Sequence, residues 1–237
     1  MKRVLALLII VTMMLSLAAC GTAPGTGDVT SETAAQTPEP NAEETPIPTE
    51  IPTNAPDSET ESGSNILVAF FSRTGENYGV GVIEKGNTHI IADMIAEAMN
   101  ADSFEIARVT PYPEEYDACT DEAKQEQSEN ARPELTATVE NFEDYDVIFL
   151  GYPNWWGDMP MPVYTFLESY DFTGKTVIPF CTHAGSGLSS TVQTLRNELT
   201  DASALDGFAI PGTTAQNDQE SAKQAVAEWL ETLSIGE

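Results

Sequence analysis

Three short apolar runs decide most of what this chain can fold into. Residues 66–71 (Ile-Leu-Val-Ala-Phe-Phe), 147–150 (Val-Ile-Phe-Leu) and 176–181 (Thr-Val-Ile-Pro-Phe-Cys) offer almost no side chain to water. Each has the length of a strand. A strand that is apolar on both sides must be covered on both faces, which is the situation of a parallel sheet packed between helices. The segments between them have helical spacing. Asn87 and Thr88 make a good helix start, and Ile91, Met94, Ile95, Ala98 and Met99 recur behind them at that period. Residues 161–170 point Val163, Phe166 and Leu167 one way, 188–199 form a further helix, and 218–233 carry a stripe of Ala222, Ala225, Val226, Trp229, Leu230 and Leu233. Two weaker strands complete the alternation. Residues 102–109 alternate Phe104, Ile106 and Val109 with polar neighbours, as at a sheet edge, and 205–210 supply a fifth strand. Residues 114–131, polar and bounded by Pro113 and Pro133, read as an exposed helix. Pro179 withdraws a ladder donor from the fourth strand and is uncomfortable there. Right-handed crossovers between successive strands then give an α/β domain, doubly wound, with five parallel strands and helices on both faces.

The chain ahead of this domain is of another kind. Lys2 and Arg3 precede an apolar run over 4–15, too short to span a bilayer and of the length of a signal-peptide core. Leu17-Ala18-Ala19-Cys20 follows, and small residues before a cysteine at that place resemble the lipobox of bacterial lipoproteins. The expectation is a signal peptide over 1–19 and a lipidated Cys20 that anchors the protein at the cell membrane, on its extracytoplasmic side. Residues 21–64 hold seven of the 15 prolines, nine acidic residues and no Lys or Arg, a composition that cannot offset the entropy of ordering. Residues 20–64 are therefore expected to be an extended tether, leaving 65–237 as the folded domain. Of the net charge of −28, that domain carries −21 once the +2 of the leader and the −9 of the tether are set aside. Such a charge excludes nucleic acid as a partner. Cys119 and Cys181, 62 positions apart, make no zinc site and no disulfide framework, and two histidines leave little room for a metal centre.

In a doubly wound sheet, ligands bind beyond the carboxyl ends of the strands, where the strand order reverses. The loops after the first, third and fourth strands are all unusual. The first begins Ser72-Arg73-Thr74-Gly75, and after an insert over 76–86 it reaches the helix start at Asn87-Thr88. Free backbone N–H groups, hydroxyls and a helix dipole at such a turn suit a phosphate without any cation. The second reads Pro153-Asn154-Trp155-Trp156-Gly157, placing two of the three tryptophans side by side in a loop stiffened by proline, a surface for a planar aromatic ligand. The third, Thr182-His183-Ala184-Gly185-Ser186-Gly187, offers N–H groups to the polar edge of the same ring.

A phosphate joined to a flat heteroaromatic is FMN, and with these three loops the chain resembles the flavodoxin family over about residues 65–233. The similarity is greatest to a branch with a split phosphate loop and a Pro-x-Trp-Trp-Gly flavin loop. The resemblance implies a strand order of 2-1-3-4-5. It places Ser72, Arg73, Thr74, Gly75, Asn87 and Thr88 at the FMN phosphate, residues 153–157 on one face of the flavin ring, and Thr182, His183, Gly185, Ser186 and Gly187 at its polar edge. Either end of the insert could supply the phosphate contacts; the capping of the helix favours the end at Asn87-Thr88. The function implied is electron transfer with redox proteins or small-molecule acceptors. Two alternatives stand beside it: an NAD(P)H- or quinone-dependent FMN oxidoreductase, and a non-redox binding module on the same fold. The insert departs from short-loop flavodoxins, and Tyr78 within it could cover the flavin or the loop.

Overall fold

The computed structural model describes residues 65–235. The expected signal peptide, the lipidated Cys20 and the tether lie outside the described residues, as do the last two positions. No helix among the described residues is long and apolar enough to cross a membrane.

The chain runs β1 (Ile66–Phe70), a hairpin of β2 (Gly75–Asn77) and β3 (Gly81–Ile83), α1 (Asn87–Met99), β4 (Asp102–Glu105), α2 (Tyr116–Glu129), β5 (Val147–Pro153), α3 (Met161–Ser169), β6 (Thr176–His183), α4 (Thr191–Glu198), β7 (Ser203–Ala204), β8 (Phe208–Pro211), α5 (Gly212–Asn217) and α6 (Gln219–Leu230). The main sheet has the order β4-β1-β5-β6-β7, and every pairing in it is parallel. Counted along the chain without the hairpin, that is 2-1-3-4-5, the order the resemblance implies.

Successive side chains on a strand point to opposite faces, and the central strands obey this to the residue. Leu67, Ala69, Ile148, Leu150 and Tyr152 pack with Val163, Phe166 and Leu195 on one side. Val68, Phe70, Phe149, Ile178 and Phe180 meet Ile91, Ile95, Ala222 and Val226 on the other. The uninterrupted apolar runs are thus two core faces read alternately. Asn100 and Asn130 stop α1 and α2 in the left-handed conformation, at φ 48° and 51°, and return their N–H groups to the last turn.

The fifth strand differs from expectation. It is two pieces, because Phe208 pairs with Phe180 and Ala204 with Val177, so three residues of the edge oppose two of β6. Pro179 is the cause. A Cβ on Gly207 would lie 2.8 Å from the Pro179 carbonyl oxygen and 2.9 Å from its ring, so the strand facing the missing N–H bulges and passes it on a glycine. The strand expected over 102–109 is also shorter, ending at Glu105, beyond which Arg108 bridges to Leu135 outside the sheet. The hairpin in the insert and α5 have no apolar periodicity and escape sequence reasoning.

Candidate functional site

The carboxyl ends of β1, β5 and β6 are adjacent, and the three loops singled out above rise from them. Both ends of the insert are visible here, and they go to different places. Gly75, at φ 77°, turns into the hairpin, where a Cβ would lie 2.8 Å from the Glu114 carbonyl oxygen. Gly86 closes back on the first loop, so tightly that a Cβ would fall 2.1 Å from Ser72 Oγ and 2.6 Å from the Arg73 carbonyl oxygen. Gly86 is also the N-cap of α1 and has no side chain to cap it. The first amides of α1 thus open beside Ser72, whose Oγ accepts from the His89 N–H at 3.1 Å. Within the first turn of the helix, the Thr88 and Thr182 hydroxyls share a buried hydrogen bond of 2.8 Å, fastening α1 to the end of β6.

Two residues expected at the phosphate direct their side chains elsewhere. The Arg73 guanidinium donates to the carbonyls of Glu76, Pro113 (2.7 Å), Glu114 (2.7 Å) and Glu115 (3.3 Å), binding the hairpin to the segment before α2. The Asn87 amide packs against Gly212 of α5, where a Cβ would lie 2.4 Å from its Nδ2, and its Oδ1 is buried without a partner. The backbone of Arg73 stays in the loop after β1, and that of Asn87 forms the first residue of α1.

After β5 the chain makes a two-residue turn. Trp155 and Asp158 exchange both backbone hydrogen bonds, at 2.9 and 3.0 Å, while Trp156 and Gly157 take φ of 55° and 81°. These are the dihedral signs of a type I′ turn, which glycine adopts freely and tryptophan at a cost of about 1 kcal/mol. The two indoles part at this turn. Trp155 is half-buried, edge-on to Phe71 at 5.3 Å and to Tyr112 at 5.0 Å. Trp156 is 54% exposed and lies on α2, its indole N–H donating to the Thr120 carbonyl at 3.2 Å and the Lys124 ammonium 4.8 Å from its ring centre.

Asn154 joins this turn to the loop after β6, a role that sequence reasoning missed. Its Nδ2 donates to the Gly187 carbonyl (2.8 Å) and Ser189 Oγ (2.9 Å), its Oδ1 accepts from Gly157 N–H (3.0 Å), and its own N–H donates to the Thr182 carbonyl (2.8 Å). In the third loop His183 Nδ1 accepts from the Gly185 N–H at 2.9 Å, and partial burial holds the imidazole below its ordinary pKa, hence toward the neutral form. Cys119 and Cys181 are both buried and unbridged, and burial pushes their thiols up to about 11 and about 12.

Beside Trp155 stands a second group that the sequence did not reveal. Arg108 lies 3.8 Å over the Tyr112 ring and pairs with Glu122 and, at 2.8 Å, with Glu126, while the Tyr112 hydroxyl donates to Glu126. Burial raises Tyr112 well above the usual phenol range, so it stays protonated and donates. This braces α2 against the loop that carries Tyr112. Among the described residues no cluster of His, Cys, Asp and Glu could hold a metal ion.

Residues 72–75, 86–88, 153–157 and 182–187, the stretches that form the site, contain no Asp or Glu, although the chain has 38. In a molecule this acidic, stretches without carboxylates lower the repulsion an anion meets there. The amides of Asn87 and Thr88 at the start of α1, hydroxyls and glycine amides are the donor set a phosphate takes, and the indoles supply aromatic surface beside it. The fold defines a doubly wound α/β domain of the flavodoxin type. Residues 65–233 match the flavodoxin family model, and the chain belongs to that family. No curated protein matches the sequence. Among solved structures, a candidate flavoprotein of Bacteroides uniformis is 30% identical with a TM-score of 0.57, covering 71% of this chain and 99% of that one. A second, from Bacteroides eggerthii, is 28% identical with a TM-score of 0.58, covering 72% of this chain and 98% of that one. A flavoprotein of Lactobacillus acidophilus solved in complex with FMN is 20% identical with a TM-score of 0.49, covering 66% and 97%.

Proposed function

We propose that the domain binds FMN and serves as an electron-transfer flavoprotein, held at the extracytoplasmic face of the cell membrane by a lipid on Cys20. The observation that carries the reading is the start of α1, where Gly86 brings no capping side chain and closes onto Ser72, leaving the Asn87 and Thr88 amides beside loop stretches that carry no Asp or Glu. In this reading the amides of Asn87 and Thr88 and the hydroxyls of Ser72 and Thr74 hold the phosphate. The turn at residues 153–157 flanks the ring, and the amides of Gly185 and Gly187 reach its polar edge. Bound FMN would supply one- and two-electron chemistry; the protein supplies binding, orientation and field. Arg73 acts in this through the hairpin that it holds, and Asn154 by setting the spacing of the two ring-side loops.

Adding FMN to flavin-free protein and following the flavin absorption bands tests the proposal. The expected result is stoichiometric uptake, with riboflavin, which lacks the phosphate, bound at least about 100-fold more weakly, equivalent to ~2.7 kcal/mol. A protein that stays colourless after gel filtration overturns it in favour of a binding module without a redox role. An oxidoreductase acting on NAD(P)H and a quinone is the second reading, favoured by a cavity beside Trp155 and Trp156 that could admit another molecule. Steady oxidation of NADPH in the presence of a quinone would select it.

A further inference from the structure

A cavity of about 270 Å³ opens between α2, the β2–β3 hairpin and the turn that carries the two indoles. Its α2 wall is Tyr116, Cys119, Thr120 and Ala123, a set at i, i+3, i+4 and i+7 that shares one side of the helix. That side is uncharged. The acidic residues of α2 are placed elsewhere: Glu122 and Glu126 are held by Arg108, and Asp117, Asp121 and Glu129 are exposed and do not line the cavity. Trp155 and Trp156 close the opposite wall, Asn77 and Asn154 contribute neutral polar groups, and the charge at the lining is that of Arg73. Lys124 stands over Trp156. Among the described residues of a chain with 38 acidic residues, none of the carboxylates lines this aromatic-walled space, whereas Arg73 lines it and Lys124 stands over one of its tryptophans.

Aromatic walls select a flat ring, and cations without a carboxylate select against a positive one. The volume falls just under the ~300–1,000 Å³ of pockets for drug-sized ligands, so one or two fused rings fit and a dinucleotide does not. We infer that this cavity binds a planar aromatic molecule of one or two rings, uncharged or anionic, beside the flavin. The inference deepens the proposed function and rests on it for its second half: it names the class of small-molecule redox partner that reaches the flavin loop.

Calorimetric titration of FMN-loaded protein with naphthalene-2-sulfonate and with N-methylquinolinium, two-ring molecules of opposite charge, tests it. The sulfonate is expected to bind at least tenfold more tightly, the reverse of what a net charge of −28 would choose. Ala123→Leu, which fills the cavity, and Thr120→Asp, which places a carboxylate in it, should each weaken the sulfonate at least tenfold and leave FMN affinity within twofold. Three results overturn the inference: no sulfonate binding, equal or tighter binding of the cation, or a matching loss of FMN affinity in the two variants, which would make the cavity the flavin's own place. If the protein takes no FMN but binds the sulfonate with these preferences, the cofactor reading fails and the cavity assignment stands.

Discussion

Gly86 shows how a single atom decides the site. Its missing Cβ is what allows α1 to start against Ser72, so Gly86→Ala must push the loop or the helix away. We expect a loss of about 1–3 kcal/mol in stability, as for other overpacked positions, and at least a tenfold loss in FMN affinity, read by thermal unfolding and by titration. Asn154→Ala should behave differently. It leaves the Gly157 N–H and the Gly187 carbonyl without their partner, each costing about 1–3 kcal/mol where water cannot replace it, and it loosens the ring-side loops relative to each other. Flavin affinity should therefore fall more than the unfolding temperature suggests. The cysteines are the converse case, residues that suggest chemistry and are placed to prevent it. The thiolate is the reactive form, and burial raises the thiol pKa, so raising the pH must be what exposes reactivity. Folded protein at pH 8 should leave Cys119 and Cys181 unalkylated by iodoacetamide. The rate at Cys119 should climb about tenfold per pH unit toward about 11, and unfolding should release both; mass spectrometry of the labelled peptides checks it.

Among the elements, the hairpin within the loop after β1 rests on one residue above all. Arg73 places a planar fork against the carbonyls of Glu76, Pro113, Glu114 and Glu115, and Glu76 returns the favour by donating its N–H to Glu114 and accepting the Tyr116 N–H on its carboxylate at 3.1 Å. A lysine cannot repeat this, since its compact ammonium has no fork. Arg73→Lys and Arg73→Ala should both free the hairpin, raising amide exchange over 75–83 by at least about tenfold while α1 and the central strands keep their protection. Equal exchange in wild type and variant would show that the hairpin is held by other means. The pieces β7 and β8 teach the same lesson in reverse: a proline on β6 writes a bulge into its neighbour, a consequence that no local propensity of residues 203–211 contains.

For the molecule as a whole, charge sets the terms. A domain of net charge −21 disfavours adding negative charge to a bound flavin, so its midpoint potential should lie below that of free FMN. Salt screens that field, with a Debye length of about 10 Å at 0.1 M, and should move the potential upward. A spectroelectrochemical titration at two ionic strengths decides it, and a potential at or above that of free FMN would refute the field argument. The expected lipid anchor has its own test. Cys20→Ser should release the protein from the membrane fraction with its flavin binding intact, because residues 20–64 contribute nothing to the site loops in this reading.

The alternation of strands and helices, the strands at the middle of the sheet and the meeting of three loops at neighbouring strand ends could all be read from residue order. Burial on both faces leaves an unbroken apolar run, and a turn that must hold an anion is made of the few residue types with free donors. What the tertiary structure decided was which of these residues face one another. Only folding brought Gly86 onto Ser72, turned Arg73 and Asn87 away from α1, parted the two indoles, and made Asn154 the link between loops 33 residues apart in sequence. The uncharged side of α2 shows the limit most clearly: four residues at helical spacing have no meaning until a turn from another strand lies across them. Periodicity reports how much of a residue is covered, whereas chemistry depends on what covers it, and that is a property of contacts between distant segments.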